Sequence, residues 1–186
     1  MQWRNTDSGY GWMAIALHWL TAGAVLGLFG LGLWMVELTY YHDWYRRAPA
    51  LHKSAGLLLF AGVVLRLVWR GLNPAPEPAG KAWERRAARG AHRLLLGLLL
   101  AVMVAGYLIS TADGRAISVF GWFEVPATLH GVDGQEDLAG WLHRWLAYGL
   151  LALVALHTAA ALKHQIRDRD GTLKRMLRPG SGTHDS

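Results

Sequence analysis

The sequence predicts an all-α membrane protein, a bundle of four transmembrane helices, and three observations predict it. Of 186 residues, 53% are hydrophobic and only 17% charged, well away from the balance of an average soluble chain. The apolar residues are gathered into four blocks, roughly 13–36, 51–69, 91–112 and 140–162, each near the ~20 residues that cross a bilayer core as a helix. The histidines fall inside or at the ends of those blocks, where an ionisable side chain is costly without a partner. The mean hydropathy of +0.18 reflects the polar connections between spans.

Block one, Met13 to Val36, follows a short polar leader. It is longer than the ~15-residue apolar region of a secretory signal peptide and runs into a polar loop without a cleavage site, so it reads as a span. Block two, Leu51 to Trp69, ends before NPAPEPAG at 73–80, a Pro-rich break that no helix continues through. Block three, Ala91 to Ala112, leads into a long mixed connection, 113–139, whose partly apolar run Ile117 to Pro126 lies against the membrane or caps a site. Block four, Gly140 to Leu162, gives way to a basic segment, and residues 179–186 are expected to be disordered. Residues 1–178 thus form one transmembrane domain. Lipid forces each block to satisfy its own backbone hydrogen bonds, which selects helix over strand. Trp12, Trp34, Trp69 and Trp141 mark block ends, as interfacial side chains do.

Arg70, Lys81, Arg85, Arg86, Arg89 and Arg93 lie between blocks two and three, and Lys163, Arg167, Arg169, Lys174, Arg175 and Arg178 follow block four. The excess of positive charge predicts that both segments, and both termini, are cytoplasmic. The net charge of +6 then reflects topology and anionic lipid, so the partner is the bilayer and nucleic acid is not one. With no cysteine, disulfides, iron–sulfur clusters, thiolate-ligated haem and covalent haem attachment are all excluded.

Any metal chemistry therefore rests on His, Met or carboxylate, and five of the nine histidines are placed for it: His18, His52, His92, His143 and His157. His143 and His157 are fourteen residues apart, which returns them to within about 40° on one helix face and separates them by about 21 Å. The helices run antiparallel, so His18 meets His157 near the inner edge and His52 meets His143 near the outer edge. Two bis-histidine sites follow, each able to fill both axial positions of a haem iron, which suits electron transfer. Zinc needs three or four ligands at one depth, and His42 and His130 in the loops leave that alternative open. A lone membrane histidine also serves as a helix–helix hydrogen-bonding residue. His92 competes at the inner level as a ligand, a propionate or quinone contact, or an interfacial residue. His164 is read as a supporting or solvated group. Arg66, fourteen residues after His52, either pairs with a haem propionate or snorkels to the headgroups. Lys53 and Arg144 give the outer rim a positive potential. Gly23, Gly27, Gly30 and Gly32 in block one, Gly56 and Gly62 in block two, and Gly97 and Gly106 in block three are of a kind common at ordinary helix contacts and are permissive for a flat group, no more. No catalytic residue is assigned.

The strings ALHWL around His18, LHKSAG around His52, AHRLLL around His92, WLHRWLAYGL around His143 and ALHTAAALKH around His157 resemble the bacterial cytochrome b561 family, as do the Pro-rich loop and the closing TLKRMLRP. The resemblance implies a four-helix, di-haem b cytochrome of the bacterial inner membrane, related to the cytochrome b subunits of nickel–iron hydrogenases. It implies His18 with His157 and His52 with His143 as the ligand pairs, and a non-ligand histidine at His92. One type of member oxidises superoxide at the outer face and passes the electron to ubiquinone. Arg115 and the FGWFEVP segment are similar to that type, whereas Lys53 and Arg144 depart from it. The alternative is a membrane anchor and electron relay for a redox partner subunit of a hydrogenase or dehydrogenase. A metal transporter is a third, weaker reading.

Overall fold

A computed structural model describes residues 2–6, 9–73, 75–76 and 80–179. The expected disorder of the tail concerns residues that, from 180 onward, lie outside the described ones. The four apolar blocks form helices α1 (Trp12–Met35), α2 (Arg47–Leu72), α3 (Ala82–Thr111) and α4 (Gln135–Lys163). Each is long and apolar enough to cross a membrane, with mean hydropathies from 1.7 to 2.3. Only 6–17% of each most apolar stretch is buried within the protein. Leu20, Leu65 and Leu156 are accordingly exposed, and a lipid phase is what gives such surfaces an apolar surrounding.

Helices α2, α3 and α4 start earlier than the apolar blocks because charged residues or proline stand in their first turns. α3 begins nine residues before Ala91, where the Glu84 carboxylate accepts the Lys81 amide at 2.8 Å and so caps the free helix end. α4 begins five residues before Gly140, with Glu136 and Asp137 in its first turn where they complement the helix dipole. α2 takes Pro49 into its first turn, where no amide donor is needed. Hydropathy alone does not see such turns.

The described chain forms two compact units, and every long helix contributes a segment to each. The first comprises Met1–Thr21, Gly62–Leu96 and Leu151–Ser186. Here α4 runs into a π-turn, His164–Asp168, that ends at Arg169 in the left-handed conformation. A short helix α5 (Thr172–Arg175) follows. The Asp170 carboxylate accepts the Thr172 amide at 2.9 Å and hydroxyl at 2.7 Å. Burial alone pushes the Asp170 carboxyl upward, but these bonds outweigh it and hold the group below its ordinary range. The Trp19 indole N–H donates to the Met176 carbonyl at 2.7 Å, tying this segment to α1.

The second unit comprises Ala22–Ala61 and Gly97–Leu150. Its connection after α3 contains an antiparallel hairpin, β1 (Ile117–Val119) and β2 (Phe123–Val125), with Ile117 opposite Val125 and Val119 opposite Phe123. The tip turns through positive φ at Phe120 and Gly121. Ile117 and Val119 are buried. Ser54 on α2, itself 2% exposed, donates its hydroxyl to the Ser118 carbonyl at 3.3 Å and accepts the Phe120 amide at 3.1 Å. The apolar run Ile117 to Pro126 is thus a folded hairpin fixed to α2 two residues beyond His52.

Candidate functional site

Two groups of histidines emerge, one within each unit. In the second unit the rings of His52, on α2, and His143, on α4, face each other with centroids 6.1 Å apart. A first-row metal binds imidazole nitrogen at about 2 Å, so two ligands on opposite sides of one metal place their ring centres roughly 6 Å apart. The observed separation matches that span. Both rings are half-buried.

Each imidazole has its Nδ1 turned towards the backbone of a neighbouring helix. His143 Nδ1 lies 2.9 Å from the Val102 carbonyl on α3. A carbonyl can only accept, so Nδ1 carries the proton and Nε2 is left with a free lone pair. His52 Nδ1 is buried without a well-formed hydrogen bond, and the Leu28 carbonyl on α1 is the backbone group beside it. This is the tautomer a metal-ligating histidine adopts when its remote nitrogen is held by a carbonyl. Facing imidazoles without thiolate or carboxylate among them suit haem iron better than zinc.

In the first unit His18, Arg66, His92 and His157 come within electrostatic reach of one another. The His92 and His157 rings are 5.2 Å apart at 67°, closer than a bridging metal would hold them. Arg66 Nη2 lies 3.3 Å from His18 Nδ1. Guanidinium can only donate, so this His18 nitrogen is the acceptor and its proton sits on Nε2. Trp19 stands edge-on to His18 at 5.3 Å.

The residues of both groups fall within one sequence family. The family model described as prokaryotic cytochrome b561 matches residues 9–179. The chain belongs to the prokaryotic cytochrome b561 family. It is 51% identical to cytochrome b561 homolog 2 of Escherichia coli over 99% of both chains. It is 30% identical to cytochrome b562 of Cereibacter sphaeroides over 93% of this chain and 98% of that one. It is 26% identical to a protein of Yersinia pestis named probable superoxide oxidase CybB, over 90% of this chain and 95% of that one. As a prokaryotic cytochrome b561, the protein is a multi-pass electron carrier of the bacterial inner membrane and binds haem b.

Around these groups the cytochrome places the remaining residues read from sequence. Lys53 and Arg144 are exposed, beside His52 and His143. His164 lies in an ion network, its Nδ1 2.9 Å from Asp168 and 3.2 Å from Asp170. Lys163 pairs there with Asp168 at 2.9 Å and Glu84 at 3.5 Å. That ammonium already supplies the positive charge these carboxylates need. In the loop after α3, Asp113 accepts from Arg115. This pairing holds the exposed Asp113 carboxyl below its ordinary range and Arg115 above its own. Sequence reasoning missed Ser54, Val102 and Leu28, since a serine hydroxyl or a backbone carbonyl leaves no pattern in the primary structure.

Proposed function

We infer that this cytochrome passes electrons between a donor on the periplasmic face and ubiquinone through two b haems. His52 and His143 would hold one haem, His18 and His157 the other, with both termini on the cytoplasmic side. The observation that carries this reading is the pair of imidazoles facing each other across 6.1 Å, with His143 Nδ1 bonded to the Val102 carbonyl. When bound, each haem supplies a reversible one-electron iron couple.

The chain's own residues supply position, charge and water exclusion. His52 and His143 present Nε2 from helices α2 and α4. His18 and His157 do the same from α1 and α4. For His18 to present Nε2 its proton must move to Nδ1, and the Arg66 guanidinium 3.3 Å away must turn aside. A haem propionate is the natural acceptor for that guanidinium. His92 is the most exposed histidine of its group and is placed to contact a propionate or quinone rather than iron. The apolar helices keep water from both sites.

Superoxide is the proposed donor. The likeness to the Yersinia pestis protein named for that activity supports it, and Lys53 and Arg144, both exposed, supply positive charge that attracts a small anion. Purified protein should contain two haems per chain by reduced-minus-oxidised spectroscopy, and superoxide should reduce both before added ubiquinone reoxidises them. One haem per chain, or no response to superoxide, would contradict this. Exposed aromatics on the hairpin, with Trp122 at 75% and Phe123 at 50%, favour a second reading as an electron relay for a partner subunit. Co-purification of such a subunit would distinguish it.

A further inference from the structure

In an α-helix the carbonyl of residue i accepts the amide of residue i+4, and the side chain at i+4 lies beside that carbonyl. Val102 and Gly106 on α3 are such a pair, and so are Leu28 and Gly32 on α1. A Cβ placed on Gly106 would stand 3.0 Å from Cε1 and 3.1 Å from Nδ1 of His143, the imidazole that bonds the Val102 carbonyl. A Cβ on Gly32 would stand 3.3 Å from Cε1 and 3.7 Å from Nδ1 of His52, the imidazole beside the Leu28 carbonyl. The arrangement therefore occurs twice, once on each helix facing the pair. Gly23, Gly27, Gly30, Gly56, Gly62 and Gly97 have nothing within 4 Å of the same position. Close approach thus separates Gly32 and Gly106 from these other glycines of the spans.

We propose that Gly32 and Gly106 are positioning residues: by lacking a side chain they leave the Leu28 and Val102 carbonyls open to Nδ1–H of His52 and His143. The Val102 carbonyl is shared between its own helical amide and the His143 imidazole, and the Leu28 carbonyl stands beside His52. The shared bond fixes the tautomer that offers Nε2 to iron and sets the angle of the ring. It also raises the basicity of the ligand, because a proton drawn towards a carbonyl leaves more electron density on the ring. A more basic ligand favours ferric over ferrous iron. The proposal rests on the reading that His52 and His143 share a haem.

The test uses the haem-loaded full-length protein with Gly106→Ala, Gly32→Ala and the controls Gly97→Ala and Gly27→Ala. Redox titration and low-temperature electron paramagnetic resonance of the oxidised protein are the readouts. Gly106→Ala should raise the midpoint of one haem, increasing its ferrous-to-ferric ratio at fixed potential roughly fivefold, the worth of about one hydrogen bond. It should also move the g values of that haem alone. Gly32→Ala should act in the same direction and less, its contact being looser, while both controls behave as wild type. Selective loss of one haem from Gly106→Ala, with Gly97→Ala fully loaded, would also support the proposal. If Gly106→Ala loses both haems or its fold, Gly32→Ala decides: a changed midpoint and g values support the proposal, and unchanged ones overturn it. Gly106→Ala indistinguishable from Gly97→Ala overturns it as well. His143→Ala keeps the two failures apart, since full haem content there refutes the shared-haem reading, whereas loss of one haem with silent glycine variants refutes only the role of the glycines.

Discussion

The His52–His143 pair and the His18–His92–His157 group contain the same side chain and solve different problems. In the pair, the remote nitrogens turn to main-chain carbonyls, which carry no net charge and cannot move. The Nδ1–H tautomer of His143 is therefore built into the helices. In the group, the nitrogen of His18 is met by a guanidinium at 3.3 Å, a flexible cation that must turn away before that histidine can bind metal through Nε2. One site is preset by backbone, and the other is set by a charged side chain. The first should tolerate changes in surrounding charge, and the second should respond to them.

The strongest way to break this contrast is removal of the ligands. His143→Ala and His18→Ala should each halve the haem content, measured as haem per protein, while His92→Ala should leave it intact. Haem loss from His92→Ala but not from His18→Ala would reassign the ligand in the first unit. The next test concerns charge. Arg66→Gln should lower the midpoint of the haem near His18, because a positive charge favours the more electron-rich ferrous state. At separations near 10 Å and an effective dielectric of 20 the effect is about tenfold in the reduction equilibrium. The other haem should be unaffected, and equal shifts of both would remove the distinction between the two sites.

Smaller effects sharpen the picture of the preset site. Ser54→Ala removes the acceptor for the Phe120 amide and the donor to Ser118, costing about 1–2 kcal/mol. Hydrogen exchange should show faster opening of residues 117–125 with little change in the helices. The smallest change is expected from Asp113→Asn. The pairing with Arg115 lowers the Asp113 carboxyl beneath its ordinary value of 3.8, so its contribution is present above that pH and is lost as the pH falls through the depressed value. The group is exposed, and screening leaves little to measure at neutral pH. Melting curves of wild type and Asp113→Asn should coincide near pH 7.

Much of this was legible in the chain itself. The four spans are visible because lipid demands long apolar helices and the sequence has four such blocks. His52 and His143, taken from helix direction and depth alone, do come together. The early starts of α3 and α4 were not legible, because capping by Glu84 or a dipole contribution from Glu136 depends on local geometry and not on hydropathy. The hairpin at 117–125 is not visible as strands in the sequence, since three-residue strands are too short for alternation to show.

By itself the sequence determined that the protein crosses a membrane four times and on which helix each histidine of the spans lies. Composition and helical periodicity act along a single chain, so these follow without knowing any neighbour. Only the tertiary structure decided that His143 faces the Val102 carbonyl, that Gly32 and Gly106 press against imidazole rings, and that His18 meets Arg66. Those contacts join residues between 20 and 48 positions apart, and no local pattern encodes which side chain a carbonyl on another helix will receive.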